Sequence, residues 1–302
     1  MKLLLTGTFS YSEAQLTRIK SLGCEVFYIE DEREPLPEDV SAIEAVVCNS
    51  LFLHHDISRF KNLQLIQLLS AGLDRVPLAH ITNNNIKLFN AGDVYSIPMA
   101  EWVVLKILEI YKQSRFFYRN QDLHCWQKNR DLLELTGKKV AIIGLGNIGK
   151  AIAKRLKPFG VEITAVDISQ VKAGSVDRLL MFEDLDQVIG TSDIVILALP
   201  LNEQTRHLVD ARRLKLIPDH GVLVNLSRGA VIDEAALIKA LQVGKFRGVA
   251  LDVFEEEPLP ADSPLWSFDN VIITPHNSFI SDRVTERLFA LIFANLEQYM
   301  NR

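Results

Sequence analysis

Lys139-Val-Ala-Ile-Ile-Gly144-Leu-Gly146-Asn147-Ile148-Gly149 carries an apolar β-forming run, Val140 to Ile143, straight into the pattern G-x-G-x-x-G. Such a continuous run is what a strand covered on both faces needs. Beyond it, Ile148, Ile152, Leu156 and Phe159 recur at helical spacing, and Pro158 and Gly160 stop the helix. A second strand, Val161 to Val166, then ends in Asp167. An acid about 20 residues past the glycines can accept both ribose hydroxyls of an adenosine. The glycines let backbone approach a pyrophosphate, and a helix start offers it unpaired N–H groups. Turn and acid together predict a dinucleotide site of Gly144, Gly146, Asn147, Ile148, Gly149 and Asp167.

The position of this turn matters too, because nearly half of the chain precedes it. A nucleotide domain inserted into another domain is a two-lobed enzyme plan with a cleft between the lobes. Length agrees, since 302 residues suggest about two domains with ample core. The formal charge of −5 is mild and implies neither nucleic acid nor an anionic membrane as partner. Cys24, Cys48 and Cys125 are odd in number and far apart, which argues for a reducing compartment and against a disulfide frame or zinc site. Lys2 to Leu5 is too short for a signal peptide, and no apolar run approaches a membrane span. The expected location is the cytoplasm.

Before residue 97, Leu3–Leu5, Glu25–Ile29, Ala45–Cys48, Leu65–Leu69 and Ile86–Phe89 read as short strands. Amphipathic stretches such as Glu13 to Leu22 lie between them, which predicts a small parallel-sheet α/β lobe. Glu30 to Asp39, with Pro35 and Pro37, reads as a surface loop. From Ile97 to about Arg119 runs one long helical pattern, apolar nearly all round, and Gln121 to Glu134 reads as a loop. Six strands follow, near Val140–Ile143, Val161–Val166, Ile194–Leu199, Val222–Leu226, Gly248–Val253 and Val271–Thr274. They suffice for a complete dinucleotide-binding sheet. Ser281 to Met300 is a last amphipathic helix, too short for a domain and expected to complete the first lobe. The fold class is therefore α/β in two lobes. A Rossmann domain, 97–277, is inserted into a smaller flavodoxin-like substrate domain, 1–96 completed by 278–302.

Ligands of an open parallel sheet bind beyond the carboxyl ends of its strands. Among the polar residues that follow strands there, three stand out: Arg228 in Asn225-Leu-Ser-Arg-Gly-Ala, Glu257 in Asp252-Val-Phe-Glu-Glu-Glu-Pro, and His276 in Thr274-Pro-His-Asn-Ser. Taken singly, each has a bland reading, as a loop arginine, part of a solvated acidic run, and a capping histidine. Convergence on one rim changes that, because a 2-keto acid reductase needs this set. A guanidinium fork binds the substrate carboxylate, and a proton donor must meet the carbonyl oxygen as hydride arrives. A carboxylate beside an imidazole favours its protonated form.

The motifs resemble those of the D-specific 2-hydroxyacid dehydrogenase family along most of the chain. The likeness is carried by Ser70-Ala-Gly-Leu-Asp74, Ala100-Glu101, Gly144-Leu-Gly-Asn-Ile-Gly149, Leu199-Pro-Leu-Asn-Glu-Gln-Thr205, Asn225-Leu-Ser-Arg-Gly229, Ala250-Leu-Asp-Val-Phe254 with Glu257-Pro258, and Thr274-Pro-His276. The resemblance implies that Arg228 holds and polarises substrate, Glu257 supports the histidine, and His276 is the acid/base. It implies NAD as cofactor, contacted by Leu199, Pro200, Thr205 and by Asp252 at the nicotinamide amide. It places backbone amides of Ser70, Ala71 and Gly72 on the substrate carboxylate, and it points to a homodimer. After the histidine, relatives commonly carry a small apolar run, whereas here Asn277, Ser278 and Phe279 follow, so substrate transfer from relatives is unsafe.

His54-His55-Asp56 is not read as a metal site, since adjacent histidines point apart. Two rival readings stand beside the dehydrogenase. One is a non-enzymatic NAD-sensing relative, and the other a methyltransferase with a similar glycine turn, which has no need of the arginine, glutamate and histidine. Arg75 is the one cation near the Asn49–Leu51 and Ser70–Leu73 loops, so a small unphosphorylated keto acid is expected. Glyoxylate, hydroxypyruvate and a small apolar keto acid all remain open.

Overall fold

The computed structural model describes residues 1–36, 39–170 and 174–301. Pro37 of the expected Glu30–Asp39 loop and Arg302 of the expected C-terminal segment lie outside the described residues. The chain forms two compact units, Met1–Tyr95 with Ser281–Arg302, and Ser96–Ile280.

In the first unit the described strands are β1 (Lys2–Thr6), β2 (Glu25–Ile29), β3 (Ala45–Cys48), β4 (Leu65–Leu68) and β5 (Lys87–Phe89). They pair in parallel in the order β2-β1-β3-β4-β5, the flavodoxin-like order. Side chains alternate across a strand, so β1 sends Leu3 and Leu5 to one face and Leu4 to the other. The first face is closed by Ile19 of helix Glu13–Ser21 and by Leu288, Phe289, Ile292 and Leu296 of helix Val284–Met300. The second is closed by Leu51, Phe52, Phe60 and Ile81. Each such side chain, fully buried, contributes roughly 1.5–3 kcal/mol through apolar surface removed from water. The returning helix is also tied by Asn295 Nδ2, which donates to Gln67 Oε1 at 2.7 Å.

One reading of this unit is corrected. Glu32, assigned to a surface loop, is 4% exposed. Its carboxylate accepts from the Thr6 hydroxyl at 2.6 Å, the Asn49 N–H at 2.7 Å, and the Ser50 N–H and hydroxyl at 2.5 and 2.7 Å. A buried carboxylate is tolerable only when its lone pairs are so filled. Burial pushes this carboxyl up, and those hydrogen bonds outweigh burial and hold it below its ordinary value. The polarity of Glu30–Asp39 concealed an inward-facing acid.

In the second unit the described strands are β6 (Lys139–Ile143), β7 (Glu162–Asp167), β8 (Arg178–Met181), β9 (Ile194–Leu197), β10 (Gly221–Asn225), β11 (Phe246–Leu251) and β12 (Val271–Ile273). All pair in parallel, in the order β12-β11-β10-β9-β6-β7-β8. This is a doubly wound dinucleotide-binding sheet with one strand more than six. The unforeseen member is β8. Its sequence, Arg-Leu-Leu-Met, has no β-branched residue, and it sits at the sheet edge with every residue at least partly exposed. Val140 and Ile142 of β6 face helices Ser96–Tyr111 and Asn147–Leu156, while Ala141 and Ile143 face the opposite core.

The helical pattern from Ile97 is not continuous. Helix Ser96–Tyr111 stops at Lys112–Gln113, where Gln113 takes φ +52°, and a second helix, Ser114–Asp122, follows. The second helix therefore takes in Gln121 and Asp122, which were read as loop. Within Ser96–Tyr111, Val103, Ile107 and Ile110 are buried, but Ile97 and Leu105 are 42% and 50% exposed. Among the described residues no helix is long and apolar enough to cross a membrane.

Candidate active site

The switch point of the second sheet falls between β6 and β9, where strand order reverses and the carboxyl ends leave a crevice. Gly144 follows β6 at φ +95°, and a Cβ there would stand 2.4 Å from the Ala198 carbonyl oxygen. A Cβ on Gly149 would stand 2.1 Å from the Gly144 carbonyl oxygen, so side chains at both sites are barred by backbone contact. Gly146 differs, since nothing lies within 4 Å of the corresponding point. It is also the N-cap of helix Asn147–Leu156 and has no side-chain cap, so the first-turn N–H groups face outward beside exposed Asn147. Ile148 packs against the core and anchors that turn. An open, uncapped helix start over a glycine turn fits the pyrophosphate of a dinucleotide.

Asp167 ends β7, and its Oδ2 accepts from the Leu145 N–H at 2.7 Å. Its Oδ1 accepts from the Ser169 N–H at 3.0 Å and hydroxyl at 2.9 Å. Burial pushes this carboxyl up, but the hydrogen bonds prevail and hold it low, so the group stays charged near neutrality. It braces the glycine turn, and Oδ2, which accepts a single bond, retains lone-pair capacity for a further donor. After β9, Leu199 and Pro200 begin a loop that Thr205 closes. The Thr205 hydroxyl donates to Pro200 O at 2.7 Å and accepts from the Asn202 N–H at 2.8 Å.

The proposed catalytic trio sits after β10, β11 and β12, on the rim that also carries Gly144. His276 Nδ1 is 2.8 Å from Glu257 Oε2, and the Phe254 N–H donates to Glu257 Oε1 at 3.0 Å. Burial pushes the Glu257 carboxyl up, yet the His276 and Phe254 hydrogen bonds, with the charges of His276 and Arg228, bring it below its ordinary value. Arg228 is thus near enough for its charge to act on the same carboxylate. Its Nη1 donates to the Ser227 carbonyl at 2.8 Å, and Asn225 Nδ2 holds the Arg228 carbonyl at 3.0 Å. Because Nδ1 is engaged, Nε2 is the imidazole nitrogen left to meet a substrate oxygen.

Asp252 is wholly buried. Its Oδ1 accepts from the Thr274 hydroxyl at 2.5 Å and the Asn277 N–H at 2.8 Å, and its Oδ2 from the Ser278 N–H at 3.0 Å. The Asp252 carbonyl accepts the His276 N–H at 2.8 Å. His276 takes φ +50°, a left-handed conformation that a non-glycine residue adopts rarely and that surrounding bonds must enforce. Asp252 supplies those bonds, a role that sequence reading missed. The signal available was an acid at the end of β11, the strand between those that precede Arg228 and His276. Phe279 packs nearly perpendicular to the imidazole, with ring centroids 6.0 Å apart.

Ser70, Ala71 and Gly72 belong to the first unit, after β4. The Ser70 hydroxyl donates to Gly72 O at 2.9 Å, and Asn90 Nδ2 donates to Ala71 O at 2.7 Å, which leaves the turn ordered by its carbonyls.

The family model for the NAD-binding domain of D-isomer specific 2-hydroxyacid dehydrogenases matches residues 104–278. A glyoxylate reductase of Thermofilum pendens is 36% identical over 241 residues, 78% of this chain and 71% of its own. A glyoxylate reductase from Paecilomyes thermophila superposes with a TM-score of 0.89 at 25% identity, covering 100% of this chain and 96% of that one. A D-lactate dehydrogenase from Aquifex aeolicus, solved with NAD and lactic acid, superposes with a TM-score of 0.84 at 25% identity, covering 99% and 95%.

Proposed function

The chain belongs to the D-isomer specific 2-hydroxyacid dehydrogenase family, an NAD-dependent oxidoreductase family, and from that premise we propose that it reduces a small 2-keto acid to the D-2-hydroxy acid. The observation that carries this reading is the His276–Glu257 contact of 2.8 Å beside the charge of Arg228. Bound at the Gly144–Gly149 turn, NADH would supply the hydride to substrate C2 in reduction, and NAD+ would accept it in oxidation. The planar fork of Arg228 grips the substrate carboxylate and draws charge toward the carbonyl oxygen. His276 Nε2 donates its proton to that oxygen as alkoxide character develops. Glu257 balances the imidazolium before the proton leaves and keeps the ring oriented afterwards. Solvent returns the proton to His276, so one proton and one hydride are consumed per turnover.

Glyoxylate and hydroxypyruvate are the favoured substrates. Phe279 beside the imidazole supports a short substrate arm, and the scarcity of cations near Ser70–Leu73, where Arg75 stands alone, supports an unphosphorylated one. Ser70, Ala71 and Gly72 are assigned to the substrate carboxylate. NADH oxidation with a panel of 2-keto acids tests the reading. Turnover of glyoxylate or hydroxypyruvate is expected. NADH binding without turnover of any 2-keto acid would instead identify a non-enzymatic sensor of the cofactor.

A homodimer is the proposed assembly. Ile97 and Leu105 on helix Ser96–Tyr111, Tyr118, Leu123 at 69% exposure and the fully exposed Trp126 form an apolar series unsuited to water.

A further inference from the structure

His207 lies outside the proposed catalytic trio, yet it ties together the loops that carry Arg228 and Glu257. It follows the Pro200–Thr205 loop and takes φ +49°, again in the left-handed region. Its N–H donates to the Ala230 carbonyl at 2.7 Å. Two residues on, the Val209 N–H donates to Val231 O at 3.0 Å, and Val209 bridges Ile232 in parallel. Residues 207–209 thus run beside the segment that begins at Arg228 and are joined to it by backbone hydrogen bonds and an isolated bridge at Val209.

The ring of His207 reaches the next loop. Its Nε2 is 2.8 Å from Glu255 Oε1, two residues before Glu257. Glu255 is locked in turn, because its N–H donates to Glu234 Oε2 and the Glu234 N–H donates to Glu255 Oε1, each at 3.2 Å. Glu234 is half-buried, and its carboxyl is held above its ordinary value by burial first and then by the charges of Glu255 and Glu256. The two loops also meet through backbone, since a Cβ on Gly229 would stand 1.8 Å from the Phe254 carbonyl carbon. Phe254 is the residue whose N–H holds Glu257 Oε1.

We infer that the His207–Glu255 contact is a clamp that sets the relative position of the Arg228 and Glu257 loops, which makes His207 a positioning residue for the proposed reaction. The inference rests on the reductase reading for its catalytic consequence and on geometry alone for its structural one. The side chains are 45% and 37% exposed. A side-chain contact so open to water adds little to stability, because solvent competes with it and ordering two side chains costs entropy. Its effect therefore belongs in alignment, where small displacements of a reacting group cost much rate.

The test uses two variants of the intact enzyme. His207→Asn tolerates the left-handed backbone but is too short to reach Glu255, whereas His207→Gln keeps both the reach and an N–H donor. His207→Asn should lower kcat with the preferred keto acid about tenfold, while His207→Gln stays within about twofold. The NADH dissociation constant should change by less than about twofold in both, since the clamp acts on the catalytic loops. His207→Asn combined with Glu255→Gln should lose no more than His207→Asn alone, as expected for two partners of one contact. Amide exchange at Phe254 should speed up about tenfold in His207→Asn, with β9 and β10 unchanged. Unaltered kcat and Phe254 exchange in His207→Asn would overturn the clamp, as would a loss confined to NADH binding. A wild type that turns over no keto acid would sink the reductase reading, and the exchange measurement would still decide the clamp.

Discussion

His276 has one ring nitrogen committed to Glu257 and its backbone held in a left-handed turn by Asp252. Replacing it by alanine removes the proposed proton donor and leaves the glycine turn untouched. His276→Ala should therefore reduce kcat for keto-acid reduction about 100-fold or more, with NADH affinity nearly unchanged, in steady-state and fluorescence titrations. A kcat within a few-fold of wild type would transfer the proton to another group. Glu257 supplies a pH test with a definite sign. Its folded-state pKa lies below the unfolded value, so its ionised form adds stability above about pH 4.5 and loses that contribution as pH falls through the depressed value. Between about pH 7 and about pH 3 wild type should lose more thermal stability than Glu257→Gln, and parallel melting curves would count against the pairing. Arg228, Glu257 and His276 were legible because each follows a strand on one rim and because carboxylate, guanidinium and imidazole complete one chemistry. The bracing roles of Asp252 and His207 were not, since bracing through backbone amides leaves no characteristic spacing in a sequence.

Among the elements, the strand–turn–helix from Lys139 to Leu156 was legible in full, because burial on two faces, glycine close approach and helical period each leave their own mark. Edge strand β8 was not, since a partly exposed edge needs neither a long apolar run nor alternation. The break at Gln113 also escaped notice, because the aromatic residues Phe116, Phe117 and Tyr118 continue the apolar impression while Ser114–Asp122 buries none of its side chains. The β7 end carries a cofactor prediction. Asp167 is charged and held against the glycine turn, where it would repel a 2′-phosphate, and Ile168, Ser169 and Gln170 bring no cation. NADH should be preferred over NADPH by at least about tenfold in kcat/KM, or about 1.4 kcal/mol, and Asp167→Ala should narrow the gap. Equal use of both cofactors by the wild type would refute that account.

For the whole molecule, the proposed dimer predicts that light scattering reports about twice the 34.1 kDa chain mass. Charged substitutions at Leu105 and Trp126 should shift the distribution toward monomer, and a monomeric, fully active wild type at micromolar concentration would remove the proposal. The two α/β units were visible from the alternation of strand and helix patterns, whereas partners were not, because exposed apolar residues do not say what covers them. The first unit is built from both ends of the chain, with Leu288, Phe289, Ile292 and Leu296 closing a face begun by Leu3 and Leu5. On the ribosome those two leucines emerge before the helix that shelters them and wait through the synthesis of everything between. The second unit, contiguous in sequence, can complete its core during that interval. Vectorial synthesis thus leaves an earlier-made segment to be sealed after a later one, and its unsealed face is where a chaperone would find a long-lived target.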